Sequence, residues 1–572
     1  MATGTSLGLA LPQQNTPDKE SFDIRTGPLA EWISQLPTGN IGETTKQLYR
    51  AMHDVNRHRH GWKQRFRFME SIREPLDNVQ RSISKRYSGL SFPLPAKTQQ
   101  IATLAQRLHT ETAIGYMAAI EEMLDALFVF QDRQALKVMV HRAVRHLSQS
   151  LLTAYQVYSQ EQAGCWHQLH ALYAFAEAQG FHQDPVRDPL ADDQGESSVA
   201  RLYKQIVLLA TASPYRLRQG EAAATYQALA RWAAHAKLLE VKEADAAAAL
   251  FTLHLDSDEE PEYRNLDHLP CDGTACRLID TRQMVRVIQE EAGQASLLPT
   301  ELYQPLIQCW QAAPVRVERR NEGGDTIEVV IGMIQIHHLL CPGLQAEVPG
   351  LQKPPFESAS STGYSRQLNE RARSAGGDIW NTYSTREPQP ADTPNQPPRE
   401  TASNATIQHW TVINESVGGF RLAVPEGQEA GLRVGEILAV QEAHSRGRWH
   451  LTVVRWIRQY EQGDFEAGVQ IIASEVVPVL VKSLSPGRDK GEFQRGLLLP
   501  EAPERGLPAT VFVANRLFTP SEKVLLHVSG HQIEIVLGNA IQNCGSFVQF
   551  GFHAGEAAGG GGSPFEKVWE QL

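Results

Sequence analysis

The sequence predicts a multidomain α + β protein. It reads as a helical, repeat-like N-terminal half, followed by an antiparallel β-barrel and a second small β-rich unit in the C-terminal half. Three observations carry this. The chain has 572 residues, and a single hydrophobic core stops growing at roughly 250–300 residues, so several cores are required. Apolar residues recur at helical spacing up to about residue 253. Beyond residue 406 they come instead in short, β-branched runs separated by Gly, Pro and polar turns. Hydrophobic residues at 42% and charged residues at 21% suit a globular protein rather than a disordered chain. There is no apolar run long enough for a membrane-spanning helix. The first twenty residues have no basic start followed by an apolar core, so no secretory signal is expected. A net charge of −11 argues against a general nucleic-acid coat and leaves room for a local basic site.

Residues 1–27 are polar and read as a flexible N-terminal arm. Residues 28–254 read as one all-helical, repeat-like domain. Leu29, Trp32, Ile33 and Leu36 form a helical stripe that stops at Pro37, and Asn40 is placed to cap the next helix, whose core face is Leu48, Met52 and Val55. The stretch 99–157 is long and periodic. In residues 165–180 large and small residues alternate in a way similar to helix-hairpin repeats of the tetratricopeptide type, and the alanines of 222–249 look alike. The stretch 50–86 holds ten Lys/Arg against four Asp/Glu. It reads as a solvated helix face with Trp62, Phe66, Phe68 and Met69 toward the core, and an RNA-binding face is the distant alternative.

Residues 255–264, with Asp256, Asp258, Glu259 and Glu260, read as a solvated linker. Residues 265–313 form a mixed connecting segment with helices over 281–292 and 300–312. A turn at 321–325 then leads into the β-branched stretch Thr326–Ile336, which reads as a buried strand. Residues 343–405 are rich in Pro, Ser, Gly and Gln and predict a disordered insertion. Strand-like runs at 407–413, 418–424, 435–440, 448–458 and 466–472 predict a small barrel. Further runs predict a second β-rich domain over 483–555. A glycine linker and tail occupy 556–572, where Phe565, Val568, Trp569 and Leu572 make an amphipathic stripe suited to a protein partner.

No Walker loop, GxGxxG, HExxH pair or GxSxG elbow occurs in usable context, so no catalytic residues are expected. The six cysteines lack paired CxxC spacing. They read as reduced thiols, and no metal site is expected.

The sharpest local signal is Asn414-Glu-Ser416-Val-Gly418-Gly419, a polar turn between two strand-like runs. Asn and Ser can bind backbone groups or a ligand there, and the glycines permit positive φ or close approach. The later runs Leu451-Thr-Val-Val-Arg-Trp456 and Gly463-Asp-Phe-Glu-Ala-Gly468-Val-Gln-Ile471 follow at barrel spacing. This order resembles the PilZ domains, bacterial receptors for cyclic di-GMP, in which a [D/N]xSxxG element works with an RxxxR motif before the first strand. The matching arginines are Arg316 and Arg320, with Arg319 as a spare donor, upstream of the 321–336 turn and strand. The resemblance therefore implies a split barrel, 314–341 plus 406–482, interrupted by the insertion. It implies that Arg316 and Arg320 hold phosphates and guanine with Arg319 as a spare donor, that Asn414 and Ser416 bind the ligand or fix the turn, that Gly418 lets the ligand approach closely, and that Gly419 clears space for the base. It further implies a cytoplasmic bacterial effector with no cofactor beyond its ligand, cyclic di-GMP. The signature motifs for making or degrading that nucleotide are absent. A protein partner would bind the helical domain or the tail. The alternative is a non-enzymatic scaffold whose degenerate barrel binds no nucleotide.

Overall fold

The computed structural model describes residues 7–125, 132–190, 195–242, 251–263, 275–292, 298–311, 321–341, 406–425, 431–442, 447–460, 464–485, 493–501, 508–514, 517–528, 531–543 and 547–554. Two compact units are present. The first holds the described residues up to Gln311 except Ser91–Pro93, and the second holds Ser91–Pro93 and the described residues from Asn321 onward.

The first unit is built from α1 (Thr26–Ser34), α2 (Ile41–Asn56), α3 (Trp62–Tyr87), α4 (Ala96–Asp125), α5 (Arg133–Gln156), α6 (Cys165–Ala178), α7 (Val199–Thr211) and α8 (Glu221–Trp232). Asn40 caps α2, its side chain accepting from the Glu43 amide at 3.1 Å. In α3 the buried residues Phe68, Met69, Ile72, Leu76, Val79, Ile83 and Tyr87 repeat at three- and four-residue intervals, which is one face of a helix. Trp62 and Phe66 are only half-buried. Arg65, counted among the solvated cations, is fully buried. It bonds Glu122 at 2.6 Å and the carbonyls of Val55 and His58 at 2.7 and 2.8 Å. A hairpin of β1 (Val186–Arg187) and β2 (Glu196–Ser197) precedes α7.

Three expectations are corrected in this unit. Residues 7–25 are not a loose arm but a docked strap. The Leu7 amide donates to Glu121 at 2.9 Å, Asn15 bridges His58, and the Phe22 amide donates to Asp54 at 2.7 Å. The Phe22 ring lies 4.8 Å from that of Trp32 and 5.7 Å from that of Phe68, so apolar contact overrides polar composition. Helix does not run to 254. Strands β3 (Lys237–Glu240), β4 (Phe251–His254), β5 (Glu262–Tyr263) and β6 (Cys276–Asp280) form an antiparallel sheet in the order β3-β6-β4-β5, burying Leu239, Phe251, Leu253 and Leu278. The acidic 255–264 stretch is not wholly solvated. Asp258 accepts from the amides of Gly164 and His167 at 2.6 and 3.0 Å and so caps the N-terminus of α6. Helices α9 (Arg282–Glu291) and α10 (Thr300–Gln311) complete the unit.

The second unit opens with β7 (Asn321–Glu322), β8 (Thr326–Ile331) and α11 (Met333–Leu340). The expected strand to Ile336 ends at Ile331, because Gly332 takes φ +83° and turns the chain into α11. Strands β9 (Gln408–Ser416), β10 (Gly419–Val424), β11 (Ile437–Glu442), β12 (His450–Gln459) and β13 (Phe465–Ala473) follow. All their pairings are antiparallel. β8 bonds β9 on one side and β11 on the other, and β9–β10–β13–β12–β11 completes the ring. Six strands thus close a barrel, with β7 added beside β9. The insertion expected at 343–405 lies outside the described residues, as does the 556–572 tail. Phe92 belongs to this unit too. It exchanges two backbone hydrogen bonds of 2.8 Å with Leu432, and its ring stacks 6.5 Å from that of Phe465.

A second closed barrel comprises β14 (Val477–Ser483), β15 (Gln494–Leu499), β16 (Thr510–Ala514), β17 (Lys523–Val528), β18 (His531–Asn543) and β19 (Phe547–Ala554), in the order β14-β15-β16-β19-β18-β17. Its first strand starts at Val477, a few residues before the expected boundary at 483, because β14 pairs with β15 and β17. Helix α11 lies between the two barrels. Met333 and Ile336 share one apolar cluster with Val330, Ile437, Ala439 and Leu451 of the first barrel and Leu497, Leu499 and Phe512 of the second. The His337 ring is buried against the Val479 carbonyl at 3.2 Å.

Ile336→Ala should therefore destabilise the second unit by about 2–4 kcal/mol, since it opens a cavity in a fully buried cluster. Chemical denaturation would measure it. Burial pushes the His337 imidazole down to about 4, below its unfolded value of about 6.5. As pH falls from about 6.5 toward 4, the unfolded chain takes up a proton that the folded chain refuses, so stability falls over that window. His337→Gln should remove part of this acid sensitivity, read as a flatter dependence of melting temperature on pH.

Candidate ligand-binding face

The turn between β9 and β10 carries the sequence-predicted residues Asn414, Ser416, Gly418 and Gly419, and the fold brings these four together. Ser416 and Gly419 are ladder partners, and Asn414 stands opposite Arg421. The Ser416 hydroxyl donates to the Gly419 carbonyl at 3.4 Å, and the Gly418 carbonyl accepts from the Ile471 amide at 2.8 Å. Neither glycine has a positive φ, so the turn does not use their left-handed freedom. Gly419 is needed for space. A Cβ there would overlap the Val469 carbonyl oxygen and sit 3.0 Å from its carbon. Val417, at the tip, is 86% exposed.

Across the outer face of the barrel, ladder partners align Glu322, Asn414, Arg421, Gly468 and Trp456 in one row over β7, β9, β10, β13 and β12. Directly opposed residues share a face. Arg421 is held there by Glu466 at 2.6 Å and reaches the Tyr460 hydroxyl at 3.4 Å. The Trp456 indole covers Gly468 so closely that a Cβ there would overlap the ring. Arg455 donates to Gln470, the ladder partner of Gly419, at 2.7 Å. It also meets Gln542 of the second barrel, whose amide, turned with its oxygen toward the guanidinium, accepts at 2.7 and 3.1 Å. The Arg458 guanidinium lies 5.4 Å from the Tyr460 ring centre. Planar guanidiniums and aromatic rings beside a polar turn can stack on bases and grip phosphate oxygens.

Arg316, Arg319 and Arg320 lie outside the described residues. The next residue, Asn321, pairs with Glu415, and Glu322 pairs with Asn414. The Gly323 amide then donates to the Ile413 carbonyl at 3.0 Å. The sequence reading missed Arg421, Arg455, Arg458, Trp456, Tyr460 and Glu466. A signal was available for Arg421: in Phe420-Arg-Leu-Ala-Val424 the strand period of two turns Arg421 outward while Phe420 and Leu422 are buried. Cysteines 165, 276, 309 and 341 are free thiols, and among the described residues no cluster of His, Cys, Asp and Glu could hold a metal.

A six-stranded antiparallel barrel with an Asn-x-Ser-x-x-Gly turn on its rim defines the class: this part of the chain is a PilZ domain, matched by a family model over residues 250–478. Three family models match the chain in order. They are described as "Cyclic-di-GMP receptor FimW, N-terminal domain" over residues 27–244, "Cyclic-di-GMP receptor FimW, middle PilZ domain" over 250–478 and "FimW C-terminal beta-barrel domain" over 479–554. The chain is also similar along its length to the cyclic-di-GMP receptor FimW of Pseudomonas aeruginosa. The two are 27% identical over 590 residues, which cover 96% of this chain and 94% of the relative. No solved structure matches.

Gly419→Ala should cost about 1–3 kcal/mol by forcing β10 away from β13. Because the clash is with backbone, no side-chain rearrangement relieves it. Thermal melting of the variant beside Ser416→Ala, which removes one weak hydrogen bond and should shift the midpoint far less, would check this.

Proposed function

We propose that this chain is a cyclic di-GMP receptor that acts as an effector rather than an enzyme. Its likeness, through three successive family models and over nearly the whole chain, to the cyclic-di-GMP receptor FimW is the observation that carries the reading. The geometry of the turn supports it. Asn321, the residue joined to Arg320, is the ladder partner of Glu415 in the Asn414–Gly419 element. In this reading Arg316 and Arg320 grip the phosphates and guanine edges, Arg319 adds a donor, and Asn414 and Ser416 hydrogen-bond the ligand. Gly418 and Gly419 leave room for the base. Arg421, fixed by Glu466, extends the donor row. Charge-assisted, forked hydrogen bonds suit a ligand with two phosphodiesters and two guanine edges.

The arginines stand in the sequence between α10 of the first unit and β7 of the second. A ligand held by both the arginines and the β9–β10 turn would bind one arrangement of that connection better than others. It could shift the equilibrium only by that difference in affinity. The barrel is in this reading split by the insertion at 343–405, the protein works in the bacterial cytoplasm without another cofactor, and its output is a protein partner of the helical unit or the tail. Among the described residues no helix is long and apolar enough to cross a membrane.

Calorimetric titration of the full-length protein with cyclic di-GMP tests the reading. The parent should give saturable heat, and Arg316→Ala with Arg320→Ala should weaken binding by about 10–100-fold, the scale of losing charged hydrogen bonds. A folded parent that gives no heat would favour the scaffold with a degenerate barrel. Undiminished binding in the double variant would overturn the arginine assignment while leaving the receptor reading standing.

A further inference from the structure

We propose that the second barrel is part of the ligand-binding site: Gln542 on β18 holds the Arg455 guanidinium so that its face stacks on a guanine of the ligand bound beside the Asn414–Gly419 turn. This rests on the cyclic di-GMP reading of that turn and adds to it one residue from each barrel. The outer face at the turn runs unbroken to the second barrel. Gly419, Gln470, Val453 and Ile437 are successive ladder partners across β10, β13, β12 and β11, and directly opposed residues share a face. The row starts at the turn and ends in the apolar cluster that Ile437 shares with Leu497, Leu499 and Phe512 of the second barrel.

Arg455 joins the turn to that barrel. Val454 pairs with Val469 and Trp456 with Gly468, so Arg455 is the extra residue of a β-bulge, a device that re-aims a side chain out of the regular alternation. Its Nε donates to Gln470, the residue opposite Gly419, at 2.7 Å. Its two terminal nitrogens donate to the Gln542 side-chain oxygen at 2.7 and 3.1 Å. Gln542 itself stands beside a bulge. Ala540 pairs with Phe550 and Gln542 with Gln549, which leaves Ile541 as the extra residue. Two bulges, one on each barrel, thus meet at one guanidinium.

The N–H groups of a guanidinium lie in its plane, so bonds to Gln470 on one edge and Gln542 on another fix that plane and leave its faces for stacking. Both partners are neutral amides, so these bonds orient the group without cancelling its charge. Unstacked bases are recognised by stacking on planes of this kind. Apolar surface stands next to the junction in both barrels. Val417 at the tip of the turn is 86% exposed, and Ile541, the neighbour of Gln542, is 57% exposed. A purine ring seated on Arg455 can cover such groups, which polar neighbours alone would not explain.

Calorimetric titration of the full-length protein with cyclic di-GMP tests this in the parent, Arg455→Ala, Arg455→Lys, Gln542→Leu and the double variant Arg455→Ala with Gln542→Leu. Gln532→Leu, exposed near the other end of β18, is the control. Binding should fall by about tenfold in Arg455→Ala, the scale of one lost base stack. It should fall nearly as far in Arg455→Lys, which keeps the charge without the plane. Gln542→Leu should lose about threefold or more, and the double variant should bind like Arg455→Ala alone, because Gln542 acts through Arg455. The control should bind like the parent. Melting midpoints show which variants fold, and if Arg455→Ala does not, the same cycle is run with Arg455→Lys. A folded parent that gives no heat removes the receptor reading and this inference with it. Where the parent binds, undiminished affinity in any folded Arg455 or Gln542 variant overturns the inference alone. So do additive losses in the double variant, or a loss in the control equal to that in Gln542→Leu.

Discussion

The C-terminal half depends on one short stretch, β8 with α11. Without β8, both β9 and β11 would present unpaired edges, and the sheet would be open where it now closes. Without α11, the apolar ends of two barrels would face water instead of sharing Met333 and Ile336. Both roles follow from six β-branched or apolar-rich residues and one glycine. Thr326–Ile331 has the residues a buried strand requires, and Gly332 supplies the left-handed φ that turns the strand into a helix one residue later. The rim element at Asn414–Gly419 inherits its geometry from this closure, since β9 is held on one side by β8 and on the other by β10.

Much of this was legible in the sequence because it is local. The polar turn at 414–419, the capping Asn40 and the β-branched run after Asp325 each depend on neighbours a few residues away. What was not legible depends on distant partners. The composition of residues 7–25 is polar, yet they dock, because buried Ile24, the Phe22 ring against Trp32 and Phe68, and amide bonds to Glu121 and Asp54 outweigh a polar average. Arg65 lies in a basic run and looked solvated, but Glu122 and two carbonyls from other elements satisfy it in the core. Asp258 looked like linker charge, and only the fold places it under the amides that begin α6. The apolar residues of 237–240 and 251–254 fitted a continued helical run, while pairing of β3 and β4 to β6 decided otherwise.

The glycines of the turn show the same division. The sequence marks Gly418 and Gly419 as permissive without saying which permission is used. The packing of β10 against β13 shows that Gly419 is there because the Val469 carbonyl leaves no room for a methyl group. Charge behaves likewise. A chain at −11 still gathers Arg421, Arg455 and Arg458 on one barrel face, and Arg73, Arg142 and Arg145 around Asp188 in the helical unit. Each group is oriented by carboxylates or amides that fix its direction without cancelling it everywhere.

The discontinuity of the first barrel also sets an order of events on the ribosome. Synthesis delivers β8 early, and the 76 residues of 332–407 must follow before β9 begins to appear. Until then Thr-Ile-Glu-Val-Val-Ile is a β-prone hexapeptide with both edges unpaired, the kind of segment that templates association between chains. Glu328 is its single charge. In the finished barrel that side chain lies 3.7 Å from His409, but in the nascent chain it serves as the gatekeeper of the strand. The feature that closes the barrel is therefore also the part of the chain most exposed to misassembly while the rest is being made.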